Sequence, residues 1–152
     1  MLLRYITIFL LFQRLSHRNV NTVLGTRFMV DRVYLLLPYA RMSLGDLLLY
    51  RLSISRRNAV CILFQVLCGL SHCHSNGVLH GNLTPMHIVV EPQVINEYIF
   101  MHAGALTTKD LDTYLSGATF KLTDFSRCRK LLFPPMRSKS HHSSTKVLSA
   151  LH

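Results

Sequence analysis

Two short apolar runs, Val78-Leu79 and Ile88-Val89-Val90, enclose the loop His80-Gly81-Asn82-Leu83-Thr84-Pro85-Met86-His87. Runs of this length and composition read as buried strands. A loop clamped between two such strands is fixed in space while its polar side chains stay accessible, so the rest of the chain has to be organised around it. The flanks fit that role. Upstream, from Arg56 to His74, apolar residues cover most of a helical circumference, which predicts a helix buried on several sides. Downstream, Phe120-Lys121-Leu122 is a strand pattern ending in Thr123-Asp124-Phe125-Ser126.

In this order the three segments resemble the protein-kinase domain. The loop is similar to the catalytic loop H-R-D-L-x-x-x-N, in which the Asp takes the substrate hydroxyl proton and the Asn holds magnesium. His80, Leu83 and Pro85 stand in register. Gly81 replaces the Arg, Asn82 the catalytic Asp, Thr84 a usual Lys, and His87 the metal-binding Asn. Residues 61–77 resemble the helix and turn that lead into that loop. Asp124-Phe125-Ser126 resembles the D-F-G triplet with Ser in the Gly place. The wording around Phe64-Gln65 and Cys73-His74-Ser75 is most similar to the serine/threonine kinases of the cyclin-dependent branch.

The resemblance assigns the remaining segments. His17-Arg18-Asn19-Val20 is similar to the H-x-N-I turn after the family's αC helix, so residues 3–15 are expected to be the end of that helix, with Ile8 in the place of its glutamate. Residues 23–28 and 33–37 alternate as an antiparallel hairpin. Leu37 then occupies the gatekeeper place and Pro38-Tyr39-Ala40 the hinge, whose backbone would meet adenine through the carbonyl of Pro38 and the N–H of Ala40; an ordinary interlobe linker fits these residues equally. Ser43 is expected to cap a short helix over 43–49. The implied fold class is α+β, a partial kinase-like fold: a small-lobe hairpin plus the first helices and the catalytic-loop region of the large lobe. The domain is expected over residues 1–133.

Within it, residues 91–118 form an insertion expected to be mobile, with one or two helical turns near 108–115 capped by Thr107 or Thr108. Residues 134–152, after Pro134-Pro135, read as a disordered basic tail. At 152 residues the chain is long enough for a core but short for the family's two lobes, and the glycine-rich loop and strand lysine would precede Met1. The chain is therefore expected to be truncated as well as degenerate.

Seventeen basic residues against seven acidic ones give a net charge of +10, which raises a nucleic-acid-binding alternative. Most arginines are scattered, and no aromatics interleave with the basic tail to stack on bases. Cys61, Cys68, Cys73 and Cys128 lack disulfide spacing and read as free thiols of a cytoplasmic or nuclear protein. Cys68, His72, Cys73 and His74 are zinc-ligand types, but ligands so crowded on one helix cannot close a tetrahedron. No stretch is long enough to span a membrane.

The resemblance implies ATP and magnesium as cofactors, and the substitutions imply that binding is weak or absent. Asn82 is no base, Ile8 cannot make the family's ion pair, and His87 offers nitrogen where magnesium prefers oxygen. Asp124 alone is left as a carboxylate aimed at a metal, and a simple turn-forming role fits it equally. His80 is expected to act as scaffold. The resulting expectation is an inactive pseudokinase that works by binding a protein partner over its exposed apolar surface. The alternative is part of an ATP-dependent serine/threonine kinase whose other segments are missing from this chain.

Overall fold

The structure is a computed structural model, and it describes residues 2–30, 32–49, 53–93 and 107–131. The expected basic tail and residues 94–106 of the expected insertion lie outside these.

The chain opens with α1 (Leu2–Gln13), in which Ile8, Phe12 and, just beyond the helix, Leu15 recur at i, i+4 and i+7 and are buried. This spacing sets one face of α1 against the core. A turn carries the chain to β1 (Gly25–Phe28) and β2 (Val33–Leu36), an antiparallel hairpin with Gly25 opposite Leu36 and Phe28 opposite Val33. Most hairpin side chains are exposed.

β3 (Met42–Ser43) leads directly into α2 (Leu44–Leu49). Ser43 caps as expected: its Oγ accepts the Asp46 N–H at 3.1 Å, and the Asp46 carboxylate accepts the Ser43 N–H at 2.8 Å. This reciprocal pair satisfies two groups that a helix start leaves open. Next comes α3 (Arg56–Ser75), capped by Ser55, and then β4 (Val78–Leu79). The loop runs through a 3₁₀ turn at Pro85–His87 into β5 (Ile88–Glu91). α4 (Thr108–Leu115), β6 (Thr119–Leu122), a second 3₁₀ turn (Phe125–Arg127) and β7 (Arg129–Lys130) complete the described chain.

Three small antiparallel sheets result. β1 pairs with β2, β5 lies between β3 and β6, and β4 pairs with β7. The pairing of Ile88 with Leu122 brings the end of the loop beside the strand that delivers Asp124. The β4–β7 pairing, Val78 opposite Lys130 and Leu79 opposite Arg129, holds the loop's other end. An amide network anchors this assembly to α3 and to the turn after α1. Asn19 Nδ2 donates to Gln65 Oε1 (2.8 Å) and to the Phe120 carbonyl (2.9 Å), Gln65 Oε1 also accepts the Phe120 N–H (3.0 Å), and Gln65 Nε2 donates to the Ala118 carbonyl (3.0 Å). Gly69 belongs to the same contact, because a Cβ there would run into the Asn19 carbonyl oxygen.

Two expectations are corrected. α3 is buried along one stripe, Asn58, Ile62, Val66, Gly69 and Cys73, not on several sides, since β4, β6 and the core cover only that face. Residues 107–118 of the expected mobile insertion are packed into the core through Leu111, Tyr114, Leu115 and Ala118. Thr107 begins α4 with a capping box, its Oγ1 accepting the Asp110 N–H while the Asp110 carboxylate accepts the Thr107 N–H. Among the described residues the four cysteines are free thiols; Cys73 and Cys128 are buried, Cys68 partly so, and Cys61 exposed. Among them no helix is long and apolar enough to cross a membrane.

Candidate functional site

Gly81 sets the path of the loop. Its φ of +75° lies in the left-handed region, and a Cβ there would strike the carbonyl oxygen of Arg127. Glycine therefore lets the loop press against the 3₁₀ turn that follows Asp124. Asp124 is the one described non-glycine residue with a positive φ, +57°. Its side chain steadies this conformation by accepting the Ser126 N–H at 3.3 Å, the local bond that makes Asp tolerable in left-handed backbone.

These two conformations bring Asn82, His87 and Asp124 together. Asn82 Nδ2 donates to Asp124 Oδ2 at 2.6 Å. His87 Nε2 lies 3.3 Å from the same oxygen, and His87 Nδ1 lies 2.7 Å from the Asn82 carbonyl, to which it donates. Both ring nitrogens thus face oxygen atoms of the cluster. Burial alone would raise the Asp124 carboxyl, but the bonds from Ser126 and Asn82, with His87 alongside, outweigh it and hold the group below its ordinary value.

Beneath the cluster sits His80, 3% exposed. Its Nδ1 accepts the Asn82 N–H at 3.2 Å, so Nε2 carries the single proton and donates to the Thr123 carbonyl at 2.9 Å. Burial keeps this imidazole neutral, pulling it below its ordinary value against the opposing influence of Thr123 and Asp124. The His80 ring lies 4.6 Å from that of Phe125, which stacks on Phe12 of α1 at 4.5 Å. A buried row of rings therefore ties the loop to α1. A matching family model decides what this arrangement is: the protein kinase domain matches residues 6–145 of the chain.

The chain belongs to the protein kinase domain family. Curated proteins to which it is similar include several named as serine/threonine kinases. GLH-binding kinase 1 of Caenorhabditis elegans is 24% identical over 82% of this chain and 33% of its own length. The serine/threonine-protein kinase SSN3 of Yarrowia lipolytica is 27% identical over 78% of this chain and 30% of its own. The stress-activated protein kinase JNK of Drosophila melanogaster is 29% identical over 77% and 30%. The chain thus spans about a third of the length of these relatives.

In this kinase fold the anticipated site residues divide into two groups. His80, Asn82, His87 and Asp124 converge. Leu37 lines a cavity of about 250 Å³ with Ile8, Phe12, Phe125 and Asp124, whereas Pro38 and Ala40 stand apart, lining a separate one of about 220 Å³ with Lys121. Ile8, expected in the place of the family's glutamate, is a buried aliphatic side chain that lines the same cavity as Asp124. A magnesium ion fits this donor set poorly, because the one carboxylate already accepts the Asn82 amide and the Ser126 N–H and stands beside an imidazole. Gly81, Ser126 and Phe12 also shape the site. Gly81 could have been found from its placement before Asn82, and Phe12 from its i+4 spacing after Ile8.

Proposed function

We propose that the chain is a catalytically silent kinase fold that acts by binding. The observation that carries this reading is the 2.6 Å hydrogen bond from Asn82 to Asp124. Phosphoryl transfer asks the protein for a positioned base and for metal-held phosphates. An amide at position 82 has no basicity near neutrality, and here it donates to the very carboxylate a metal would need. His87 Nε2 lies 3.3 Å from the same oxygen. The Asp124 carboxylate is engaged within the cluster, accepting Asn82 Nδ2 and the Ser126 N–H. A longer chain carrying the other parts of the family domain would bring the same Asn82 and His87 to its loop.

The test is transfer of labelled γ-phosphate from ATP with magnesium or manganese, to generic protein substrates and to the chain itself. No transfer above a boiled control is expected. Metal-dependent transfer that disappears in Asp124→Ala would overturn the reading.

A further inference from the structure

Two histidines outside the loop cluster stack on each other where the turn after α1 meets α3. The rings of His17 and His72 have centroids 4.9 Å apart and planes 21° from parallel. His17 Nδ1 accepts the Asn19 N–H at 3.1 Å, so the neutral ring carries its proton on Nε2. His72 Nε2 lies 3.4 Å from Asn76 Nδ2, which also donates to the His72 carbonyl at 2.8 Å. Each ring turns a lone pair toward an N–H, an arrangement that suits two neutral imidazoles.

A second proton on His17 has only Nδ1 to go to, where it meets the Asn19 N–H. Two donors then face each other, and the amide of a buried residue loses its acceptor. A second proton on His72 adds a like charge across the stack. The other charged or titratable side chains on the elements that meet here are Arg14 and Arg18 beside His17, Cys68, Cys73 and His74 on α3, and Lys121 on β6. No described carboxylate balances the pair. Glu91 is held by Lys121, Asp46, Asp110 and Asp112 are bonded at helix starts, and Asp124 lies in the loop cluster. Burial first and His17 second hold the His72 imidazole below its ordinary value.

The turn secured by this stack is a junction. The Asn19 carbonyl accepts the Leu122 N–H at 3.0 Å, and the Asn21 N–H donates to the Leu122 carbonyl at 2.8 Å. The Asn19 side chain ties Gln65 of α3 to Phe120 of β6. We infer that the His17–His72 stack is an acid-operated latch, which holds the turn after α1 against α3 and β6 while both rings are neutral and releases it when they are protonated. Release frees β6, the strand that leads to Asp124. The latch does not depend on whether the loop is silent.

Amide hydrogen exchange of the full chain at about pH 7.5 and about pH 5.5, corrected for the intrinsic effect of pH, tests this. Protection at Asn19, Asn21, Phe120 and Leu122 should fall about tenfold at the lower pH, the fold-change of one lost buried hydrogen bond, while α4 keeps its protection. In a variant carrying His17→Asn with His72→Phe, the change should stay under about twofold, because the new amide oxygen still accepts the Asn19 N–H and the new ring still stacks. An equal fall in that variant would assign the acid response to His80 and overturn the inference. Protection that survives acid in the parent would overturn it as well, and so would a loss shared equally by α4, which is global unfolding. A second measurement needs only His17→Asn: by imidazole NMR, the His72 midpoint should rise toward 6.5 once the neighbouring charge is gone. An unmoved midpoint would show the rings to be uncoupled and contradict the latch.

Discussion

Asn82 and Asp124 form the shortest link in the loop cluster, at 2.6 Å, and a single amide-to-acid change tests what that link does. Asn82→Asp introduces the residue that the resemblance implies at this position, but it sets two carboxylates against one another with no arginine at position 81 beside them. The pair resists full ionisation. The variant should lose about 1–3 kcal/mol in urea denaturation at pH 7, and less at a pH low enough for the two groups to share a proton. A second expectation concerns His80, whose imidazole is held below its ordinary value of 6.5, chiefly by burial. His72, stacked on His17 with ring centroids 4.9 Å apart, is displaced the same way, by burial first and His17 second. For a histidine lowered in the fold, the unfolded chain binds the proton more readily. The stabilisation is therefore complete above about pH 6.5 and is lost as pH falls below it. The urea midpoint should drop between about pH 7.5 and pH 5.5, and the drop should be smaller in a variant carrying His72→Gln and His80→Asn. Sequence reading identified His80, Asn82, His87 and Asp124 one by one. It did not foresee that they bond to one another, because that closure depends on left-handed backbone at Gly81 and Asp124, which residue types permit but do not dictate.

At the scale of elements, α4 is the sharper case. Its start was legible in Thr107-Thr108-Lys109-Asp110, but its place in the core was not, since the segment departs from the tight turn of the family and was expected to move. Leu111, Tyr114 and Leu115, at i, i+3 and i+4, were the signal, and they are buried. Leu111→Ala should cost about 2–4 kcal/mol by chemical denaturation, and Thr107→Ala, which removes the cap, about 1 kcal/mol. A Leu111 variant as stable as the parent would show that α4 is not part of the folded unit. α3 erred in the opposite direction. Apolar residues all round a helix announce burial on every side only if every neighbour is in hand, and the described neighbours cover one face. The bonds of its mid-helix amide, Gln65, to Asn19, Ala118 and Phe120 needed the fold.

For the whole molecule, the helix–hairpin–helix–loop order was readable because three motifs fell in sequence, and the matched family model covers residues 6–145. The two cavities were not readable, because Leu37 faces Ile8 and Asp124 while Pro38 and Ala40 face Lys121. That division, with the closed cluster of Asn82, His87 and Asp124, makes a silent site the central claim. Thermal unfolding of the purified chain with saturating ATP and magnesium tests it most directly, because any ligand bound by the folded state alone raises the midpoint by mass action. The account predicts the same midpoint with and without the pair. A rise that requires magnesium and vanishes in Asp124→Ala would contradict it.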